Sequence, residues 1–182
     1  MKTIFTALLL CLFLPFSAVM AQTDDSGRVD LAPLAGSLGV TPKVNINFGP
    51  AMMAGFAETL RQANPEMAGV LGGVTGLRVM VFEGVDTRGA EPQVLGIIDQ
   101  LAARGWTPAV TVEDDDTRIN LLLLESDTAV NGLVLLLRDG ADTAVFANIH
   151  GTLDPIMIGR MIGSGQAMQG LDLEALMGQF QN

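Results

Sequence analysis

Cysteine, histidine, tryptophan and tyrosine are nearly missing from this 182-residue chain, which has one Cys, one His, one Trp and no Tyr. The one cysteine, Cys11, falls in an N-terminal stretch that reads as a cleavable export signal. Lys2 gives the positive start, residues 4–16 the apolar run and residues 17–21 a small-residue end, with Val19 and Ala21 fitting the positions before a cut at 21/22. The apolar run is short for a bilayer span, so an uncleaved anchor is not the expectation. Cys11 follows Leu8-Leu9-Leu10, without the small residue and full upstream apolar region of a lipobox, so lipid anchoring is not expected either. Cleavage leaves a cysteine-free chain, which excludes disulfides, thiol nucleophiles and thiolate metal sites even in an oxidising compartment.

Positive charge is also scarce. Removing 21 of 182 residues leaves 161, and takes Lys2 from the ten Lys and Arg while keeping all 20 acids. A chain this acidic is repelled by nucleic acid and by anionic lipid, so neither is expected as a partner. A mature length near 160 residues suits one domain and buries roughly 70% of the unfolded surface. The expected localisation is periplasmic, as a soluble protein.

Along the mature chain, residues 22–28 are polar and read as a disordered linker. Residues 29–40 suggest one irregular helix. Residues 43–48 alternate Val44, Ile46 and Phe48 with polar neighbours, as a short strand does. Pro50, Pro65 and Pro92 each stand near the start of a helix, where a missing N–H costs nothing. Residues 77–83 form a strand that is apolar on both faces apart from Arg78. The helix opened by Glu91-Pro92 carries Val94, Ile97, Ile98 and Leu101 on one stripe and ends at Gly105.

From Trp106 to Gly151 four strands follow with short connections, among them the turns at residues 113–116 and 139–141. Connections this short allow only antiparallel pairing. Asp154-Pro155 opens a further helix, residues 163–170 form a flexible linker, and residues 171–182 form a C-terminal amphipathic helix with Leu173, Leu176, Met177 and Phe180 on one side. The expected fold is therefore α+β: one domain over residues 29–162, a mostly antiparallel sheet of about five strands ending in a four-strand meander, with helices packed on it. Both faces of the second and third meander strands are apolar, so the second sheet face must be covered. The chain's own helices are the plainer cover. A partner protein or an apolar ligand over Leu122, Leu124, Val134 and Leu136 is the sharper one.

The order of these features resembles the bacterial family of domain of unknown function 4252. The features concerned are residues 77–83, Gly105-Trp106, residues 113–116 and Asn148-Ile149-His150-Gly151-Thr152-Leu153-Asp154. The resemblance spans most of residues 29–162. It implies an exported protein and carries no activity or site residue. Many members look like lipoproteins, and this chain departs from them in lacking the lipobox.

No stretch presents a catalytic or cofactor motif, so no catalytic, cofactor-binding or metal residue and no cofactor is assigned. His150 has no G-x-S-x-G serine to serve, and a lone His at a strand end reads as structural. Residues 113–116 (Glu-Asp-Asp-Asp) lack the spacing and Gly of a calcium loop and read as a solvated hairpin tip. Met157 and Met161 share a helix face, as thioether copper ligands would, yet Met is more often a core filler. Gly69, Gly72, Gly73 and Gly76 precede a strand instead of opening a helix, which fails the dinucleotide fingerprint. Two functions stay open: an exported non-enzymatic protein that binds a protein or apolar ligand, and a hydrolase-type enzyme built on carboxylates such as Asp154, Glu113 or Asp116.

Overall fold

Prolines and glycines punctuate the chain where the elements begin and end. The computed structural model describes residues 25–159, apart from Ala141 and Met157. The proposed linker over 163–170, the C-terminal helix and the Met157–Met161 pair lie outside these residues. Among the described residues there are four α-helices: α1 (Ala32–Leu38), α2 (Pro50–Ala63), α3 (Pro65–Gly72) and α4 (Glu91–Ala103). Asn64 accepts the Met67 N–H at 3.0 Å and so caps α3. Helix α4 stops in a left-handed turn at Gly105 (φ 88°), where the Gly105 and Trp106 N–H groups bond back to Ala102 and Leu101. That turn delivers Trp106, 2% exposed, into the core.

Six strands form one antiparallel sheet: β1 (Val44–Phe48), β2 (Val74–Glu83), β3 (Thr107–Glu113), β4 (Thr117–Glu125), β5 (Val130–Asp139) and β6 (Thr143–Leu153). Their order is β1-β2-β6-β5-β4-β3. The architecture is α+β, as the pattern predicts, with six strands in place of about five. Strands β3 to β6 are the meander. Between β2 and β3 the chain crosses to the far edge through α4, so β6 closes the gap beside β2. Pro108 has no N–H for the ladder and stands on the edge strand β3, where the register to β4 shifts by one residue.

Each sheet face carries an apolar cluster. On one, Met80, Phe82, Leu122, Val134, Leu136, Ala144 and Phe146 pack with Leu34 of α1 and Val94, Ile97 and Leu101 of α4. Phe82 and Phe146 meet with ring centroids 5.8 Å apart. Leu122, Val134 and Leu136 are 2% exposed or less, with Leu124 packed beside them. The chain's own helices thus cover these four positions. On the other face, Met53 of α2 and Ile158 pack among Leu121, Leu123, Leu133 and Leu153, while the tilted rings of Phe48 and Phe56 meet with centroids 5.3 Å apart. A second group there, around Val79, Val81, Val145 and Ala147, is at most 8% exposed. The double-sided apolar pattern of β4 and β5 is the signature of a sheet buried on both sides.

Candidate functional site

The helix-side face changes character part of the way along its strands. Towards α4, β2 presents Phe82 and Met80, β6 presents Ala144 and Phe146, and β5 presents Leu136 and Val134. Further along, β2 presents Arg78 and Gly76, β6 presents Asn148 and His150, and β5 presents Gly132. The register puts Asn47, Arg78 and Asn148 in one cross-strand row and places His150 between Gly76 and Gly132. Residues in such rows stand about 5 Å apart, so these side chains meet although residues 47 and 148 are remote in sequence.

Both glycines flanking His150 are spatial necessities. A Cβ at Gly76 would lie 2.2 Å from the imidazole, and one at Gly132 would lie 2.6 Å from the Trp106 ring and 2.8 Å from the Gly27 backbone. The second gap admits residues 25–31, the end of the stretch read as a linker and the residues that follow it. They cross the sheet as a strap in which one side chain, Asn148, bonds the backbone at two points. The Val29 N–H donates to Asn148 Oδ1 at 3.0 Å. Asn148 Nδ2 donates to the Gly27 carbonyl at 3.0 Å and to the Leu133 carbonyl at 3.1 Å. The amide of Asn148 thereby imitates a strand's backbone, and it is 1% exposed. Arg104 adds a bond from Nη2 to the Ser26 carbonyl at 3.2 Å.

Between strap and sheet lies a cavity of about 340 Å³ lined by Arg28, Val29, Asp30, Asn47, Leu77, Arg78, Asn148 and His150. Arg78 reaches the Asp30 carboxylate only at 3.9 Å and the Met80 sulfur at 4.0 Å, and its buried Nε has no hydrogen-bond partner. The His150 Nε2 stands 3.5 Å from Asp25, while its buried Nδ1 is likewise unpartnered. Burial pushes the imidazole below its ordinary value; the carboxylate of Asp25 opposes the shift and the Arg28 guanidinium adds to it. The ring is therefore favoured neutral.

The other candidates named from sequence do not join His150. The Asp154 carboxylate accepts the Ile156 N–H at 2.8 Å and its carbonyl accepts the Ile158 N–H at 3.1 Å, the work of a helix cap. Glu113 and Asp116 flank the β3–β4 hairpin. There Thr117 pairs with Asp139 and Asp139 with Thr143, at the opposite end of β6. Seven strand steps from Thr143 to His150 span about 23 Å. Among the described residues no three His, Cys, Asp or Glu side chains converge as metal ligands. Gly73 belongs to packing: its carbonyl accepts the Thr152 N–H at 2.7 Å, and a Cβ there would strike the Thr152 carbonyl.

Sequence reading named His150 and noted Arg78 as the polar exception in its strand, but not their meeting. Asn148 enters the sequence argument only as the first residue of the Asn148–Asp154 run, without a site role. An amide inside the apolar run from Ala144 to Ile149 was the available signal. Among the described residues no helix is long and apolar enough to cross a membrane. Neither a curated protein nor a solved structure matches the chain. Residues 40–161, which include β1 to β6 and three of the cavity's polar residues on β2 and β6, match the family described as a domain of unknown function (DUF4252), and the chain belongs to that family.

Proposed function

We propose that the mature chain is an exported, non-enzymatic binding module whose ligand occupies the cavity between the strap and strands β1, β2 and β6. One observation carries this reading: a cavity of ligand size lined by Arg78, whose side chain is 29% exposed and meets its carboxylate neighbour Asp30 only at 3.9 Å. Pockets for small molecules begin at roughly 300 Å³. An apolar sheet face as the binding surface has less support, because α1 and α4 cover one face and the strand residues of the other are largely buried. A carboxylate-based hydrolase has less support again, with Asp154 engaged as a cap and Glu113 and Asp116 at the far end of β6.

Native mass spectrometry of the mature protein, purified gently from exporting cells, tests the reading. The expected result is a small molecule released on denaturation and lost in Asn47→Phe, which narrows the cavity from an exposed edge-strand position. An empty wild-type protein that also shows no thermal shift across a panel of small metabolites would overturn it.

A further inference from the structure

Resting on that cavity, we infer that its ligand is a small oxyanion, a carboxylate or phosphate group, gripped by the guanidinium of Arg78. Cations are rare in this chain, with ten Lys and Arg against 20 acids and a single His. Even so, two arginines, Arg28 and Arg78, line this one cavity beside the neutral ring of His150, with Asp30 the one acid among its described lining residues. The concentration is opposite to the trend of the molecule as a whole.

Arg78 is also incompletely used. A guanidinium has five N–H donors in a planar fork that matches the two oxygens of a carboxylate or phosphate. Here the fork has one carboxylate at 3.9 Å, and that Asp30 side chain is 74% exposed. Neutral amides cannot replace an anion at this point, because Asn148 spends its amide on the strap and on Leu133. Asn47, exposed beside Arg78 in the same row, supplies a further N–H to a bound oxygen. Arg28, on the strap, brings a second guanidinium to the wall, already paired with Asp25 at 3.5 Å.

The acidic surroundings set the size of the anion. A polyanion would face the field of the whole acidic chain, including Asp25 and Asp30 on the strap, whereas a single oxyanion group inside the cavity meets Arg78 at close range.

The single histidine gives a direct reporter. Its ring resonances in a tag-free mature protein are followed by proton NMR at fixed pH and ionic strength, with sodium chloride as the background. Inorganic phosphate, sodium acetate and glycerol are the probes. A saturable shift with phosphate or acetate is expected, and the stronger of the two identifies the source of the oxyanion. Arg78→Gln should weaken that binding by about tenfold or more, the size of a lost charge-assisted contact. Arg78→Lys, which keeps the charge without the fork, should fall between, and Arg61→Gln on α2 should bind as wild type. Trp106 emission checks that each variant is folded. A saturable shift with glycerol and none with the anions overturns the oxyanion while leaving a binding cavity. No shift with any probe, or anion shifts unchanged in a folded Arg78→Gln, overturns the inference outright.

Discussion

The helix-side face of the sheet holds two regions built on the same three strands. Under α1 and α4, the side chains of β2, β6 and β5 are Phe82, Met80, Ala144, Phe146, Leu136 and Val134, all at or below 1% exposure. Under the strap, the same strands carry Arg78, Gly76, Asn148, His150 and Gly132. The first region gains stability from apolar area and from close packing, which are indifferent to direction. The second is covered by backbone, whose N–H and C=O groups must be met one by one, and Asn148 meets two of them, the Val29 N–H and the Gly27 carbonyl. Helices seal the one region, whereas the strap leaves room for a cavity in the other.

Truncating the centre of the apolar region should give the largest effect. Phe146 is 0% exposed and meets the Phe82 ring at a tilt, so Phe146→Ala should cost about 3–5 kcal/mol, read as a fall in the urea midpoint at unchanged slope. The polar region should break differently. Asn148→Ala strands the Val29 N–H and the Gly27 carbonyl, at about 1–3 kcal/mol for the unmet groups. Its signature is local. Hydrogen exchange at the Val29 amide should quicken by more than exchange in β5 and β6, because the strap opens before the sheet does. Equal quickening everywhere would mean that the two regions form one cooperative unit, and that the contrast between them is only chemical.

This contrast was partly legible in the sequence. Helix starts were clear because proline at a first turn is a local signal, and Pro50, Pro65 and Pro92 all stand at the starts of observed helices. The meander was clear because short connections dictate antiparallel neighbours. The cavity was not clear, since it depends on two facts of long range. One is that β6 inserts beside β2, which sets Arg78 across from Asn148. The other is that residues 25–31 return across the sheet. A polar stretch such as 22–28 signals solvent by composition alone. Nothing local shows that the backbone at Gly27 fits against Gly132, or that an amide 121 residues away will hold it. The apolar positions Leu122, Val134 and Leu136 were legible as buried, but the identity of their cover required the path of α1 and α4.

Acidification should separate the two regions with the smallest effect, because each carries one group whose protonation is shifted by folding. In the polar region, His150 has a folded pKa below its ordinary 6.5. As pH falls below about that value, the unfolded chain takes up the proton first, so the stabilisation present at higher pH is lost as pH falls through the folded pKa. In the apolar region, Arg138 is buried and its hydrogen bond to Glu91 at the start of α4 holds that carboxyl below its ordinary 4.5. Its contribution is intact above that value and is lost only as pH falls further. Urea midpoints measured across both windows should therefore fall in two stages, on top of the titration of the other carboxylates. His150→Gln should flatten the upper stage alone and Glu91→Gln the lower alone. If the His150→Gln curve ran parallel to wild type above pH 4.5, the ring would be as well solvated as a surface histidine. The strap would then lie on the sheet without sealing it.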